Sequence, residues 1–347
     1  MTTFTQALLR WHHKFGRKDL PWQDDPSPYR VWVSEIMLQQ TQVTTVIPYY
    51  LRFMESFPDI DTLASTSRDD VLRHWSGLGY YARARNLHRA AQWIRDEHDG
   101  VFPSEVDKII ALPGIGQSTA GAILSLAFNE RCPILDGNAK RVLARFHAVE
   151  GWPGITAVSK RLWAFADLHT PHQDVAKYTQ AIMDLGATVC TRTKPTCSFC
   201  PVSESCCAFE LDAVADYPGR QLTKEKPLRQ THMVLAYSGG AVYLERRPAE
   251  GIWGGLWSLP EISDENDVDQ WCERELNAYP EQLDHWETMR HSFTHYDLDI
   301  QPIAVRLSER SGTVRDTADR LWYEIGTLPP GGIAAPVSKL IQALRIH

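Results

Sequence analysis

The sequence predicts two folded units, an all-α domain reaching to about residue 210 and a smaller α+β domain beginning near residue 231. Three observations predict this. The chain has 347 residues, more than one hydrophobic core comfortably fills. Apolar residues recur at helical spacing through the first two thirds. Beyond that point, runs rich in β-branched residues and separated by turn signals replace the helical spacing. In order, helices are expected over 29–43, 80–95, 118–128, 138–146 and 175–189, joined by short Pro- or Gly-marked turns. Residues 212–230 are polar, with two prolines and a glycine, and read as a linker. Residues 231–237 and 241–245 flank Ser238-Gly239-Gly240, a hairpin signal. Residues 298–307 and 321–324 are further strand candidates, while 267–276 and 337–346 carry helical patterns. No internal repeat or low-complexity tract interrupts this order.

Composition narrows the function class. Hydrophobic residues make up 43% and charged residues 23%, an ordinary globular balance. No stretch approaches the roughly 20 apolar residues of a membrane span. The opening residues mix polar and basic side chains among apolar ones, unlike a signal peptide, so a cytoplasmic location is expected. In a bacterium that means association with the nucleoid, and in a eukaryote the nucleus or mitochondrion. The net charge of −7 argues at first against a nucleic-acid ligand, but the charge is unevenly spread. Residues 1–230 hold 26 Lys and Arg against 25 Asp and Glu, while residues 231–347 hold 10 against 18. The acidity sits in the last third, and the first two thirds are free to turn a basic face to phosphates.

Several local patterns carry chemistry. Residues 112–121 (LPGIGQSTAG) form a Gly turn leading into a helical pattern. Gly114 and Gly116 expose backbone N–H groups where a helix dipole begins, a fit for phosphate; an ordinary inter-helix turn is the alternative. Eighteen residues after Ser118 comes Asp136, which follows an apolar run and precedes Gly137-Asn138 and another helical pattern. An acid there is either a helix cap or a catalyst. Four of the seven cysteines, Cys190, Cys197, Cys200 and Cys206, fall within 17 positions at the spacing C-x6-C-x2-C-x5-C. Such clustering points to metal and not to disulfides. Zinc modules show two close pairs, and only Cys197 and Cys200 form one here. Cys207, beside Cys206, is an alternative fourth ligand, and Cys132 and Cys272 stand apart as structural residues.

Taken together, the Gly hairpin, the following helix, Asp136 and the cysteine loop resemble the helix-hairpin-helix DNA glycosylase superfamily, which includes endonuclease III. Within it, three matches resemble the adenine-specific, MutY-type branch. Residues 32–42 (WVSEIMLQQTQ) look like that branch's catalytic helix, with Glu35 as the acid. A Glu on an apolar helical segment is costly to bury as an ion, and burial turns it into a proton donor near neutral pH. Ser118 stands where bifunctional members carry the Lys that forms a Schiff base and cuts the strand. The acidic C-terminal domain resembles the Nudix-like domain of the branch. Its residues 290–295 (RHSFTH) look like the loop that reads 8-oxoguanine, with Thr294 where family members usually show Ser. The Glu-rich metal motif of Nudix hydrolases is broken over 269–275 (DQWCERE), so a binding module is expected and not a pyrophosphatase.

This resemblance covers essentially the whole chain and implies a monofunctional glycosylase. The enzyme would hydrolyse the N-glycosidic bond of adenine opposite 8-oxoguanine or guanine in double-stranded DNA, in base excision repair and as a monomer. It implies a [4Fe–4S] cluster on Cys190, Cys197, Cys200 and Cys206, in a loop whose Arg192 and Lys194 approach phosphate. Glu35 and Asp136 are the implied catalytic carboxylates, Asn138 orients Asp136 or the water, and Ser118 marks the missing lyase function. Trp22, Gln23 and Gln180 are expected to line the adenine pocket. Gln40 and Thr41 face the lesion strand, Leu78 and Tyr80 belong to a wedge between bases, and Phe293, Thr294 and His295 contact 8-oxoguanine. Three rivals remain: an endonuclease III-like pyrimidine-lesion glycosylase, a Nudix nucleotide hydrolase, and a catalytically silent iron–sulfur DNA-binding protein. Ser118, the broken Glu motif and the Glu35/Asp136 pair argue against them in turn.

Overall fold

The computed structural model describes residues 1–221, 225–308 and 317–344. Packing divides the chain into two compact units, Met1–Ser65 with Asn86–Thr223, and Thr66–Arg85 with Lys224–His347. In the first unit every regular element described is a helix or a helical turn.

Local chemistry sets the helix boundaries that matter for function. The Pro28–Leu38 helix begins with Ser27 accepting from the Arg30 N–H and Pro28 in the first turn, a standard start. The expected helix over 29–43 breaks after Leu38, because Gln40 turns left-handed (φ 59°) and a second helix, Val43–Ser56, starts on a new axis. Periodicity ran through this break because Val43 continues the apolar spacing. The remaining expected helices are present, as Ala82–Glu97, Gln117–Phe128, Gly137–Phe146 and Val175–Thr188. The core of the unit joins the Gly137–Phe146 and Val175–Thr188 helices through Leu143, Ile182 and Leu185, each at most 1% exposed. Gly186 lies at that crossing, and a Cβ there would come within 2.5 Å of the Asn138 Cβ. Close helix approach therefore delivers Asn138 to its place.

The second unit is built on an eight-stranded sheet. Its strands are β1 (Leu228–Ser238), β2 (Ala241–Arg246), β3 (Trp257–Ser258), β4 (Glu261–Ile262), β5 (Pro280–His285), β6 (Met289–Ser292), β7 (Asp297–Leu307) and β8 (Arg320–Glu324). The main path runs β3-β2-β1-β7-β5, with β1 and β7 parallel at the centre and β4, β6 and β8 attached to β1, β7 and β2. Gly239 and Gly240, both with positive φ, make the β1–β2 turn that the Ser-Gly-Gly signal predicted. Strands β3 to β6 escaped the sequence reading because each is too short for two clear alternations or too exposed to show an apolar face. Residues 265–276 are helical and pack Trp271 and Cys272 against Tyr243, Ile303 and Val305 of the sheet. The C-terminal helix spans Ala335–Ala343; the end of its expected range, 345–346, lies outside the described residues, as do 222–224 of the expected linker. Residues 66–85 join this unit through polar anchors. Asp69 receives a bidentate pair from Arg246 at 2.5 and 2.7 Å, and Arg85 donates to the Gly254 carbonyl at 2.7 Å.

Candidate active site

The first unit contains an open cleft of about 1260 Å³, and Glu35, Asp136, Ser118 and Asn138 all line it. Glu35 reaches it from the last turn of the Pro28–Leu38 helix, whose other face buries Trp32, Val33 and Ile36. Its carboxyl keeps only partial access to the cleft, and burial pushes it up to about 8, with the charge of Asp136 adding to the rise. Asp136 sits at the N-cap of Gly137–Phe146 and accepts the Ala139 N–H at 2.7 Å. Burial raises its carboxyl too, but the Ala139 and Asn138 N–H groups and the charges of Arg141 and Lys140 oppose the rise. Capping does not withdraw Asp136 from the cleft: the N–H groups of the helix start face the same carboxyl that lines its wall. Among the described residues no such donor meets the Glu35 carboxyl, so nothing offsets the rise that burial gives it.

The rest of the cleft wall comes from three further elements. Trp22 is buried edge-on against Tyr50, with ring centres 5.4 Å apart. Gln180, from Val175–Thr188, and Arg17 line the cleft beside it. Both converge on Asp184, which is 0% exposed. Gln40 and Thr41 also line the cleft, in the turn after Leu38 that Thr41 closes through its N–H to the Leu38 carbonyl at 3.2 Å. Gln23 stands outside the lining. Its amide is spent on the backbone, accepting from the Leu20 N–H and donating to the Arg17 carbonyl, so it shapes the loop bearing Arg17 and Leu20.

Ser118 starts the helix after the Gly turn, and its hydroxyl accepts the Leu135 N–H at 3.0 Å. It therefore braces the irregular segment that carries Asp136. Gly114 is left-handed (φ 82°), and a Cβ on it would lie 2.8 Å from the Asn86 side chain; Gly116 caps the helix. Both glycines are exposed, as an N–H platform for an anion needs to be.

Cys190, Cys197, Cys200 and Cys206 line a second, smaller cavity, walled otherwise by Val142, Leu185, Val202 and other mostly apolar side chains, with Arg145 and Ser203 among them. Arg145 donates to the Cys190 Sγ at 3.3 Å and to the carbonyls of Thr191 and Arg192. One helical turn earlier, Arg141 donates to the Cys190 and Gly186 carbonyls and to Asn138 Oδ1 at 2.7 Å. Arg192 and Lys194 are exposed on the loop. Cys207 opens a short helical turn and is not among the residues that line the cavity. Among the described residues, no three His, Cys, Asp or Glu side chains converge as a single metal ion would require.

In the second unit, residues 293–296 form the turn between β6 and β7, closed by the Phe293 N–H to the Tyr296 carbonyl at 2.9 Å. Thr294 and His295 occupy the exposed tip, while Phe293 leans on Trp253 and Tyr296. Arg290 is held bidentately by Asp299 on β7. Leu78 and Tyr80 flank left-handed Gly79, with Leu78 buried and Tyr80 half-exposed under the Arg83 guanidinium. Two of the acids of 269–275 are engaged: Glu275 pairs with Arg320, and Glu273 accepts from the Tyr279 hydroxyl.

Sequence reasoning missed Arg17, Asp184, Arg141 and Trp253. Asp184 left one trace, a lone acid one turn after Gln180 on an otherwise apolar helical face; the others carry no local signature, because their partners are distant in sequence.

Comparison with known proteins identifies the family. The profile of HhH-GPD superfamily base excision DNA repair proteins matches residues 33–167, and that of the NUDIX domain matches residues 231–343. The chain is 38% identical to the adenine DNA glycosylase of Buchnera aphidicola subsp. Acyrthosiphon pisum, covering 99% of this chain and 97% of that one. It is 34% identical to the Mus musculus adenine DNA glycosylase, over 100% and 79% of the two chains. Among solved structures, a thermostable thymine-DNA glycosylase superposes with a TM-score of 0.55 at 26% identity, covering 60% of this chain and 95% of that one. Endonuclease III in a non-covalent DNA complex superposes at 0.50 and 19% identity over 61% and 99%, a likeness of fold. No helix among the described residues is long and apolar enough to cross a membrane. By sequence over its whole length and by domain content, the chain belongs to the adenine DNA glycosylase family, base-excision-repair enzymes that hydrolyse N-glycosyl bonds, with a helical HhH-GPD domain followed by a Nudix-like domain.

Proposed function

We propose that this enzyme removes adenine mispaired with 8-oxoguanine or guanine from duplex DNA, hydrolysing the glycosidic bond without cutting the strand. The observation that carries the reading is the pairing, in one cleft, of a Glu35 carboxyl held protonated up to about pH 8 with a capped, anion-stabilised Asp136. Adenine is out of reach inside a duplex and must be extruded into the cleft, at a cost of a few kcal/mol. Adenine leaves poorly as an anion. Glu35 donates its proton to N7, which weakens the bond between N9 and C1′. As the sugar gains oxocarbenium character, the Asp136 carboxylate stabilises the cation. Asn138, held by Arg141, orients Asp136 or the attacking water. Ser118 offers a hydroxyl that cannot form an imine.

The four cysteines line one cavity with largely apolar walls, and four thiolates with only one close pair suit a [4Fe–4S] cluster. Cys190, Cys197, Cys200 and Cys206 would hold it, and its contribution is to order the loop that carries Arg192 and Lys194 toward phosphate. The Gly114–Gly116 turn binds a second phosphate. Leu78 and Tyr80 wedge the duplex, Gln40 and Thr41 face the lesion strand, and Thr294, His295 and Phe293 read 8-oxoguanine. The division of labour follows the chain apart from residues 66–85, which pack with the second unit: residues 1–211 excise, 212–230 link up to the start of the sheet, and 231–347 read the opposite base, in a monomer acting in the DNA-containing compartment.

The test is a duplex with one adenine opposite 8-oxoguanine, incubated with the protein and divided for treatment with and without hot alkali. Cleavage at the adenine only after alkali is the expected result. Strand breaks without alkali would overturn the monofunctional reading. No cleavage in either half, with pyrimidine lesions or free nucleotides consumed, would hand the function to a rival.

A further inference from the structure

Asp184 is buried without trace of solvent, yet its carboxyl is held below the usual range. Its environment explains this. Oδ1 accepts from Arg17 Nε at 2.8 Å and Gln180 Nε2 at 2.8 Å, and Arg17 Nη2 lies 2.6 Å away. Oδ2 accepts the Arg17 backbone N–H at 2.8 Å, with His12 Nε2 3.6 Å off. A buried anion so fully paired is expensive to lose. Its hydrogen-bond partners Arg17 and Gln180 also line the cleft.

A carboxylate can only accept hydrogen bonds. The Gln180 amide must therefore turn its NH₂ to Asp184, which directs the carbonyl Oε1 the other way. Gln180 is 8% exposed and lines the cleft, and among the described residues no protein donor meets its Oε1. A glutamine on an unconstrained wall flips freely and offers either donor or acceptor; this one is locked as an acceptor. We propose that Asp184 is a positioning residue for base selection: it fixes Gln180 as a hydrogen-bond acceptor, so that the cleft favours a purine bearing an exocyclic amine and repels one bearing a carbonyl at the same place. The inference rests on the reading of the cleft as the adenine pocket, and adds what makes that pocket selective.

The test compares single-turnover release of adenine, unsubstituted purine and hypoxanthine, each opposite 8-oxoguanine, by the wild-type protein and by Asp184→Asn. All three bases keep N7 for protonation; they differ in amine, hydrogen and carbonyl at position 6. The Asn side chain accepts or donates, so Gln180 is released to flip. Expected is a fall of roughly tenfold in the adenine-over-purine ratio, the scale of one hydrogen bond to a polar group, and a rise in the hypoxanthine rate relative to adenine. Intrinsic differences in leaving-group ability cancel in the comparison. A folded Asp184→Asn protein that slows all three bases equally would overturn the proposal, because a merely structural residue does that. Should Arg17, left unpaired, prevent folding, the ratios of Arg17→Gln/Asp184→Asn are read against Arg17→Gln alone, with the same two outcomes. Failure of the wild-type protein to release adenine at all is a separate result, which sinks the reading of the cleft and the proposal with it.

Discussion

Glu35 and Asp136 show how one chain gives two buried carboxyls different surroundings. Glu35 is a buried helical residue in the last turn, with no donor cap among the described residues; Asp136 is offered two backbone N–H groups and the start of a helix dipole. Glu35→Gln should retain DNA binding and lose at least about 10²-fold in single-turnover excision, the usual worth of a general acid; near-normal turnover would remove Glu35 from that role. The same substitution has a stability signature. The folded-state value of Glu35 lies above its unfolded value, so its contribution is fully present below about pH 4.5 and is lost as pH rises through about 8. The wild-type melting temperature should therefore fall relative to that of Glu35→Gln between pH 5 and 9, and parallel curves would contradict the buried acid. Asp136→Asn keeps a good capping residue, so it should melt within about 1 kcal/mol of wild type while losing nearly all activity. A large loss of stability in step with activity would make Asp136 a cap and nothing more. At this scale the sequence was informative wherever a residue sat in a motif. Asp184 and Arg17 were illegible because their partnership spans 167 positions and appears only when the Val175–Thr188 helix meets the N-terminal segment.

Elements set how well these side chains are aimed. The Gly137–Phe146 helix carries Asp136 at its cap, Asn138 in its first turn and Arg141 and Arg145 on the following turns, with the two arginines tied to the cysteine loop. Gly186 lets the Val175–Thr188 helix press against this first turn. Gly186→Ala should cost on the order of 1–3 kcal/mol by overpacking and slow excision by shifting Asn138; unchanged melting and rate would show that the helices part without consequence. Ser118→Lys should give a product that borohydride traps as an imine on abasic DNA, at a reduced excision rate because the acceptor for the Leu135 N–H is gone. Absence of any trapped species would show that position 118 does not face the sugar. Element types were readable from periodicity. The end of the Pro28–Leu38 helix was not, since the left-handed residue that stops it is Gln40 and not a glycine.

At the scale of the whole molecule, the chain separates an excising unit from an acidic sheet unit whose turn tip exposes Thr294 and His295. Phe293→Ala and His295→Ala should chiefly reduce the preference for adenine opposite 8-oxoguanine over adenine opposite guanine; an unchanged ratio of rates would detach this turn from base reading. The change from helical to strand texture marked the second unit, but not the inclusion of Thr66–Arg85 in it. That segment has ordinary helical periodicity, and its anchors, such as Asp69 to Arg246, are ion pairs across nearly 180 positions. The central claim, a protonated Glu35 beside an ionised Asp136, is most directly tested by the single-turnover rate of adenine release opposite 8-oxoguanine as a function of pH. The account predicts a rate that holds through neutrality and declines about tenfold per pH unit above about 8, as Glu35 loses its proton. A rate that stays level or climbs through that range would mean that the proton on adenine comes from elsewhere.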